Sequence, residues 1–200
     1  KANMYKPYGD TTQRYARIKA KEICEKLLQQ KDSSEGKINA YNLLNQINSK
    51  SLQFSVEKVN MPNQPFRALV KYRNINSLYL RIIKADEKLK ELLANQYDEK
   101  YWPAIIAAKP LQAWEQQLPA TNDLQQHSTE IKINSLPTGY YAILFTNGAD
   151  FNSTKNPISI NFIAVTDLAF INASSTYKNG NTLFVLHRKS GMPIENTKVT

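Results

Sequence analysis

One cysteine, two histidines and six glycines in 200 residues leave little material for the common kinds of protein chemistry. Cys24 alone cannot form an intrachain disulfide, so burial and backbone pairing must hold the fold, and cysteine usage gives no redox address. It lies in a helical pattern with Ala20, Ile23, Leu27 and Leu28 and reads as a small core residue. A thiol nucleophile would need a base, and His127 and His187 are both distant in sequence. The glycines do not fall at GxGxxG or GxxxxGK spacing, so no phosphate loop is written here. There is no His-Glu-x-x-His, two histidines are too few for a zinc site, and the acidic residues do not gather as a calcium loop does. No run of about 18 apolar residues occurs, which excludes a membrane-spanning helix. The expectation is a protein that is not an enzyme, with no catalytic residue, no cofactor-binding residue, no metal ligand and no cofactor.

Acidic residues are also in the minority: 26 Lys and Arg face 17 Asp and Glu, for a net charge of +9. Such a balance raises the question of nucleic acid. The distribution answers against it, because Glu25, Glu35, Glu57, Glu87, Glu91 and Glu99 are interleaved and no block of like charge forms a binding tail. A solvated basic surface is expected, with no nucleic-acid partner. Hydrophobic residues at 42% against 22% charged place the chain among globular proteins.

What is present is pattern. Ala16, Ala20, Ile23 and Leu27 make one apolar stripe and predict a helix from about Thr11 to Lys31, with Asp10, Thr11 and Thr12 offering cap oxygens. Asp32 to Gly36 breaks it. A second helix from about Gly36 to Ser49 carries Ala40, Leu43, Leu44 and Ile47 on one side. After Ser51 the period falls from 3.6 to 2. Leu52, Phe54 and Val56 alternate with polar residues, as do Ala68, Val70 and Tyr72, and then Leu78, Leu80 and Ile82. Between them, Asn60 to Pro65 reads as a turn or edge crossing, since proline cannot donate to a ladder.

From Asp86 to about Thr121 the alternation lapses. A short helix capped by Asp86 is expected there, with Trp102-Pro103 and Lys109-Pro110 stopping helix propagation. The stretch reads as an insertion packed through Tyr97, Tyr101, Trp102 and Trp114. The same aromatics would serve to stack on sugar rings, although covering the edge of the fold is the plainer use. Strands resume with Thr129, Ile131 and Ile133. Tyr140 to Phe145 is apolar on both faces and is expected to be central. A long strand is predicted from Ile158 through Val165 to Ile171, then a hairpin at Asn179-Gly180-Asn181, a strand at Leu183–His187, and a turn at Ser190-Gly191 into a last strand reaching Val199. Without an alternating strand–helix–strand pattern, the expected fold class is mainly β, an antiparallel Ig- or fibronectin-like sandwich with an N-terminal helical hairpin and a helical insertion. Asn152-Ser153-Thr154 and Asn172-Ala173-Ser174 match glycosylation sequons by chance composition.

Three stretches together resemble a family. Ile47–Leu52, Val70–Asn74 with Leu78–Ile82, and Pro137–Tyr141 with Val165–Ala169 are similar, in that order, to the first macroglobulin-like domain of bacterial alpha-2-macroglobulin-like proteins. Arg188 to Val199 resembles the opening of the next domain, although Asn196-Thr197 stands where Gly-Ala is usual. The resemblance spans about residues 40–200 and implies three parts: a helical hairpin at 1–50, a macroglobulin-like sandwich at 51–172 with an insertion at about 86–121, and the opening strands of a truncated β-domain at 173–200. It implies a non-catalytic scaffold module of a protease-trapping protein, with proteases as partners of the full-length protein and macroglobulin-like domains as neighbours. The thioester motif Cys-x-Glu-Gln used by some members is absent, since Cys24 is followed by Glu25-Lys26-Leu27. The implied location is extracytoplasmic, in the periplasm or at the cell surface, with a lipid anchor ahead of Lys1 as one means of attachment. Lys1 in first position and the strand-like pattern at Thr200 accordingly suggest a leader removed in front and more chain behind. The competing expectation is a stand-alone cell-surface module that binds glycan or protein.

Overall fold

The structure is a computed structural model that describes residues 5–6, 8–31, 34–95, 97–152, 156–174 and 181–197. It opens on two helices, α1 (Ala16–Leu28) and α2 (Glu35–Asn48), packed against each other. Ser34 caps α2, its side chain accepting the Lys37 N–H at 3.3 Å. The cap foreseen at Asp10 to Thr12 serves a preceding turn instead: Asp10 accepts the Thr12 N–H and hydroxyl, and α1 begins only at Ala16. On α2 the expected side is the packed one, with Ala40 and Ile47 buried and Leu43 and Leu44 half-buried. On α1 the buried residues are Arg17 and Cys24, while Ile23 is 65% exposed.

Eight strands make a sandwich of two sheets. The first has the order β1 (Ser51–Val56), β3 (Phe66–Arg73), β6 (His127–Ile133), all antiparallel. The second runs β2 (Val59–Asn60), β8 (Ser159–Val165), β7 (Gly139–Thr146), β4 (Ser77–Lys84), β5 (Gln112–Gln117). Its pairs are antiparallel except the two-residue contact of β2 with β8, which is parallel. Period-2 alternation builds the core, because every second side chain of a strand faces the opposite sheet. Ala68, Val70 and Tyr72 from β3 meet Leu78, Leu80 and Ile82 from β4, all at 1% exposure or less. Burial of each such aliphatic side chain contributes roughly 1.5–3 kcal/mol. Phe54 of β1 stacks on Phe145 of β7 across the gap, ring centres 4.7 Å apart. The two large polar tips in this core are satisfied: Tyr72 donates to the Pro119 carbonyl and Tyr141 to that of Pro137, each at 2.8 Å. The Tyr141 bond back to its own approach loop resembles the tyrosine corner of Greek-key sandwiches. β7 is central, with Tyr141 to Thr146 buried, as its two-sided apolarity required.

The stretch between β4 and β6 is only partly an insertion. α3 (Glu87–Leu93), capped by Asp86 at 2.8 Å, and α4 (Tyr101–Ala107) lie on the outer face of the larger sheet. There Tyr101 and Ile105 join Ile83, Ala142, Leu144 and Phe151 in a second buried cluster. Pro103 does not stop α4. It sits in the first helical turn, where no intrahelical partner for its nitrogen is needed. Gln112–Gln117, expected as part of the insertion, is the edge strand β5, paired with β4 from Ser77↔Gln117 to Ile82↔Gln112.

The predicted long strand from Ile158 to Ile171 is two strands in different sheets. β8 stops at Val165, the Thr166 hydroxyl accepts the Leu168 N–H at 3.1 Å, and β9 (Leu168–Ser174) leaves the sandwich. A hydroxyl that claims a nearby backbone N–H turns the chain without glycine or proline. β9 pairs with β10 (Asn181–His187) in a separate two-stranded sheet, and Leu186 bridges Pro193 beyond the turn at Ser190-Gly191. The hairpin tip at Asn179-Gly180 and the strand expected at Val199 lie outside the described residues.

Candidate functional site

The residues with chemical reach are scattered by the fold. Cys24 is buried and unpaired on α1. His127 opens β6 and His187 closes β10, and neither is hydrogen-bonded to the thiol. Around His187 the residue types of a hydrolase triad do occur: Ser190 Oγ lies 3.2 Å from Nδ1, and Asp167 Oδ2 lies 3.9 Å from Nε2. The geometry is that of a surface turn. The Ser190 backbone N–H also points at Nδ1, Ser190 Oγ accepts the Met192 N–H, the carboxylate is beyond hydrogen-bond reach, and the side chains of His187 and Asp167 are 41% and 49% exposed. No group of three or more His, Cys, Asp or Glu is placed to hold a metal ion among the described residues.

The four aromatics weighed as a sugar platform are not brought together. Tyr101 is buried and meets Trp102 edge-on at 5.3 Å on the outer face of the larger sheet. Trp114 packs into the core between the sheets, on the other side of that same sheet. Tyr97 is 89% exposed and packs on neither cluster. The four residues therefore do not form one shared stacking platform.

Sequence reasoning passed over Asp123, the one buried carboxylate among the described residues. It lies in the loop before β6, and its side chain has no exposure. Oδ2 accepts Arg14 Nε–H at 3.0 Å, while Oδ1 accepts the Gln125 backbone N–H at 3.0 Å and His127 Nε2–H at 2.7 Å. A carboxylate only accepts, so these bonds put the proton of His127 on Nε2. Gln125 returns a bond to the Arg14 carbonyl at 3.1 Å, and Arg17 reaches the Leu124 carbonyl at 3.4 Å. Burial alone would raise the Asp123 pKa, but the bonds from His127, Gln125 and Arg14 outweigh it and hold the carboxyl below its ordinary value. The same pairing raises the Arg14 guanidinium. No hydroxyl or thiol is hydrogen-bonded to His127 among the described residues, so the network is a clasp. It fastens the segment leading into α1 to the sandwich across more than a hundred residues of sequence. A buried Asp four residues before a His was the available signal, and only the partner at Arg14 gives it meaning.

Two recesses follow the outer edge of β8. One recess lies between β1 and β8, bounded by Phe54, Val56, Lys58, Ile160 and Phe162. A second continues over the outer face between Phe162, Tyr140, Ala94, Lys58 and Lys90. Lys90 lies over the Tyr140 ring at 4.4 Å and also pairs with Glu87 at 2.6 Å.

No protein-family model matches the chain, and no curated protein matches it in sequence. Similar solved structures include Escherichia coli alpha-2-macroglobulin spanning domains MG0-NIE-MG1, with a TM-score of 0.49 and 11% identity over 70% of this chain and 46% of that one. The native conformation of E. coli alpha-2-macroglobulin matches with a TM-score of 0.32 and 11% identity, over 69% of this chain and 12% of that chain. Red sea bream transglutaminase matches with a TM-score of 0.35 and 8% identity, over 78% and 23%. The chain thus spans less than half the length of each of these three. None reaches a TM-score of 0.5, so the fold rests on the strand order and register given above.

Proposed function

We propose that the chain is a scaffold module of an alpha-2-macroglobulin-like, protease-trapping protein of the cell envelope, periplasmic or at the surface, with no catalytic role of its own. The observation that carries this reading is the hand-over at Thr166-Asp167. The sandwich is complete at Val165, and after a two-residue link β9 begins a third sheet that shares no strand with the two of the sandwich. On that third sheet Phe170, Ile171, Leu183 and Phe184 are 41–72% exposed. An isolated two-stranded sheet is marginal in water. Sandwich domains strung in a row, each leading straight into the next, account for both facts, and the order of the resembling stretches in the sequence agrees with it. On this reading the module boundary lies at Thr166-Asp167 rather than near residue 172, and the Arg188 bond to the Val59 carbonyl at 3.4 Å fastens the neighbouring domain to β2.

The partners of such a protein would be proteases, engaged by the whole polypeptide, and its own adjacent domains. The test uses the full-length protein from its source, incubated with a broad-specificity endoprotease. A trap carries the protease with it on size exclusion, and the captured enzyme still cleaves a small peptide while losing protein substrates. A protease that elutes free and keeps its protein substrates contradicts the proposal. The glycan-binding alternative draws no support from Trp102 and Trp114, which lie on opposite faces of one sheet.

A further inference from the structure

Among the described residues, most of the outer edge of β8 is left without a strand partner. β2 covers β8 only at Ala164 and Val165. The Ala164 N–H donates to the Lys58 carbonyl at 2.7 Å and that of Thr166 to Asn60 at 2.9 Å, so the even-numbered residues of β8 aim their backbone groups away from β7. Backbone direction alternates along a strand. Ile160 and Phe162 therefore present an N–H and a carbonyl each to the outer edge, and no strand partner meets them there among the described residues. β1 diverges from β8 on this side, and the recess between the two strands is spanned by a bond from Asn161 Nδ2 to the Phe54 carbonyl at 3.0 Å.

Two other edges of the sandwich carry protections against pairing. β5 lies between Pro110 and Pro119, and β6 sets Glu130 and Lys132 outward. β8 offers instead Ile160 and Phe162, the latter 45% exposed and beside Tyr140 at 56%. The charges bounding the two recesses are both positive, Lys58 and Lys90, with no carboxylate among the lining residues. Glu87 engages Lys90, which leaves Lys58 as the charge at the junction of both recesses.

We infer that the outer edge of β8 is a docking site for an extended acidic peptide segment of another polypeptide, which adds as a strand beside Ile160 and Phe162. Its backbone completes the ladder, an apolar side chain lies against Phe162 and Tyr140, and an acidic side chain meets Lys58. Strand addition of this kind takes affinity from main-chain bonds and selectivity from alternate side chains. The inference goes beyond the protease-trap reading and does not depend on it.

The experiment uses the 200-residue protein and a synthetic octapeptide alternating Glu with Val and Phe, with a Lys-for-Glu peptide as the control. Hydrogen exchange and fluorescence anisotropy are the readouts. The expected result is saturable binding that slows exchange at the Ile160 and Phe162 amides, with the Lys peptide inert. Lys58→Glu should weaken binding about tenfold. Ile160→Pro removes an edge donor that β7 does not use, so it should abolish binding while leaving the thermal midpoint and the β4 and β7 exchange rates close to the parent. If Ile160→Pro disturbs the fold, Lys58→Glu still decides the matter, because it lies on the surface. Four results would overturn the inference: no binding by the Glu peptide, equal binding by the Lys peptide, protection at β5 or β9 instead, or concentration-dependent protection of Ile160 and Phe162 without peptide. The last would mean that a second copy of this chain occupies the edge.

Discussion

Replacing Asp123 with Asn keeps the shape of the side chain and removes its charge. The loop then holds an amide in a fully enclosed position where three donors converge, from Arg14, His127 and the Gln125 backbone. The amide oxygen can still accept from one side. Its NH2 group must face either Arg14 Nε–H or the Gln125 backbone N–H, donor against donor, and water has no access at Asp123 to relieve the clash. Arg14 and His127 have side-chain exposures of 45% and 22% and rehydrate in part, so the loss stays below that of a wholly buried ion pair. Two charge-assisted bonds weakened at a buried carboxylate cost about 2–3 kcal/mol. For a domain of this size that lowers the thermal midpoint by about 5–10 °C. Because the network fastens the run into α1 to the sandwich, the change should also be local. Amide exchange within Ala16–Leu28 should accelerate more than within β4 or β7, since a lost tether frees its own segment first. Differential scanning calorimetry with hydrogen exchange reads both. A midpoint within about 2 °C of the parent, with α1 protection unchanged, would refute the clasp.

Acid should act on the same contact. The folded carboxyl of Asp123 titrates below its ordinary value, so its contribution is present above about pH 4 and is lost as the pH falls through the depressed value; the stability gap between the parent and Asp123→Asn should therefore close below about pH 4, as chemical denaturation at several pH values would show. Leu80→Ala removes a core side chain at 1% exposure and should cost about 2–5 kcal/mol, whereas Ile23→Ala, on the exposed side of α1, should change stability by less than about 0.5 kcal/mol in the same urea titration. Trp102→Ala and Trp114→Ala belong to separate clusters on opposite faces of the larger sheet, so their destabilisations should add to within about 0.5 kcal/mol in the double variant.

The sandwich was legible where alternation was strong. Ala68, Val70 and Tyr72, then Leu78, Leu80 and Ile82, declare an inward face because burial on one side of a strand selects every second residue. β5 was not, since an edge strand half-covered on one face can carry Gln112, Trp114 and Gln116 there without apolar alternation. The face of α1 was misread because Arg17 is buried through its reach to the Leu124 carbonyl, displacing Ile23 to solvent. The break after Val165 is made by a threonine hydroxyl, which leaves no glycine or proline as a mark. The Asp123 clasp was illegible for a different reason: its partner Arg14 lies 109 residues away, and no local pattern carries a contact of that range.

The central claim, that this sandwich is one module in a row of them, is tested most directly by the intact mass and internal sequence of the polypeptide isolated from its source. The account predicts a chain several times longer than these 200 residues, with further β-sandwich domains following Thr200. A mature polypeptide ending close to Thr200 would contradict it.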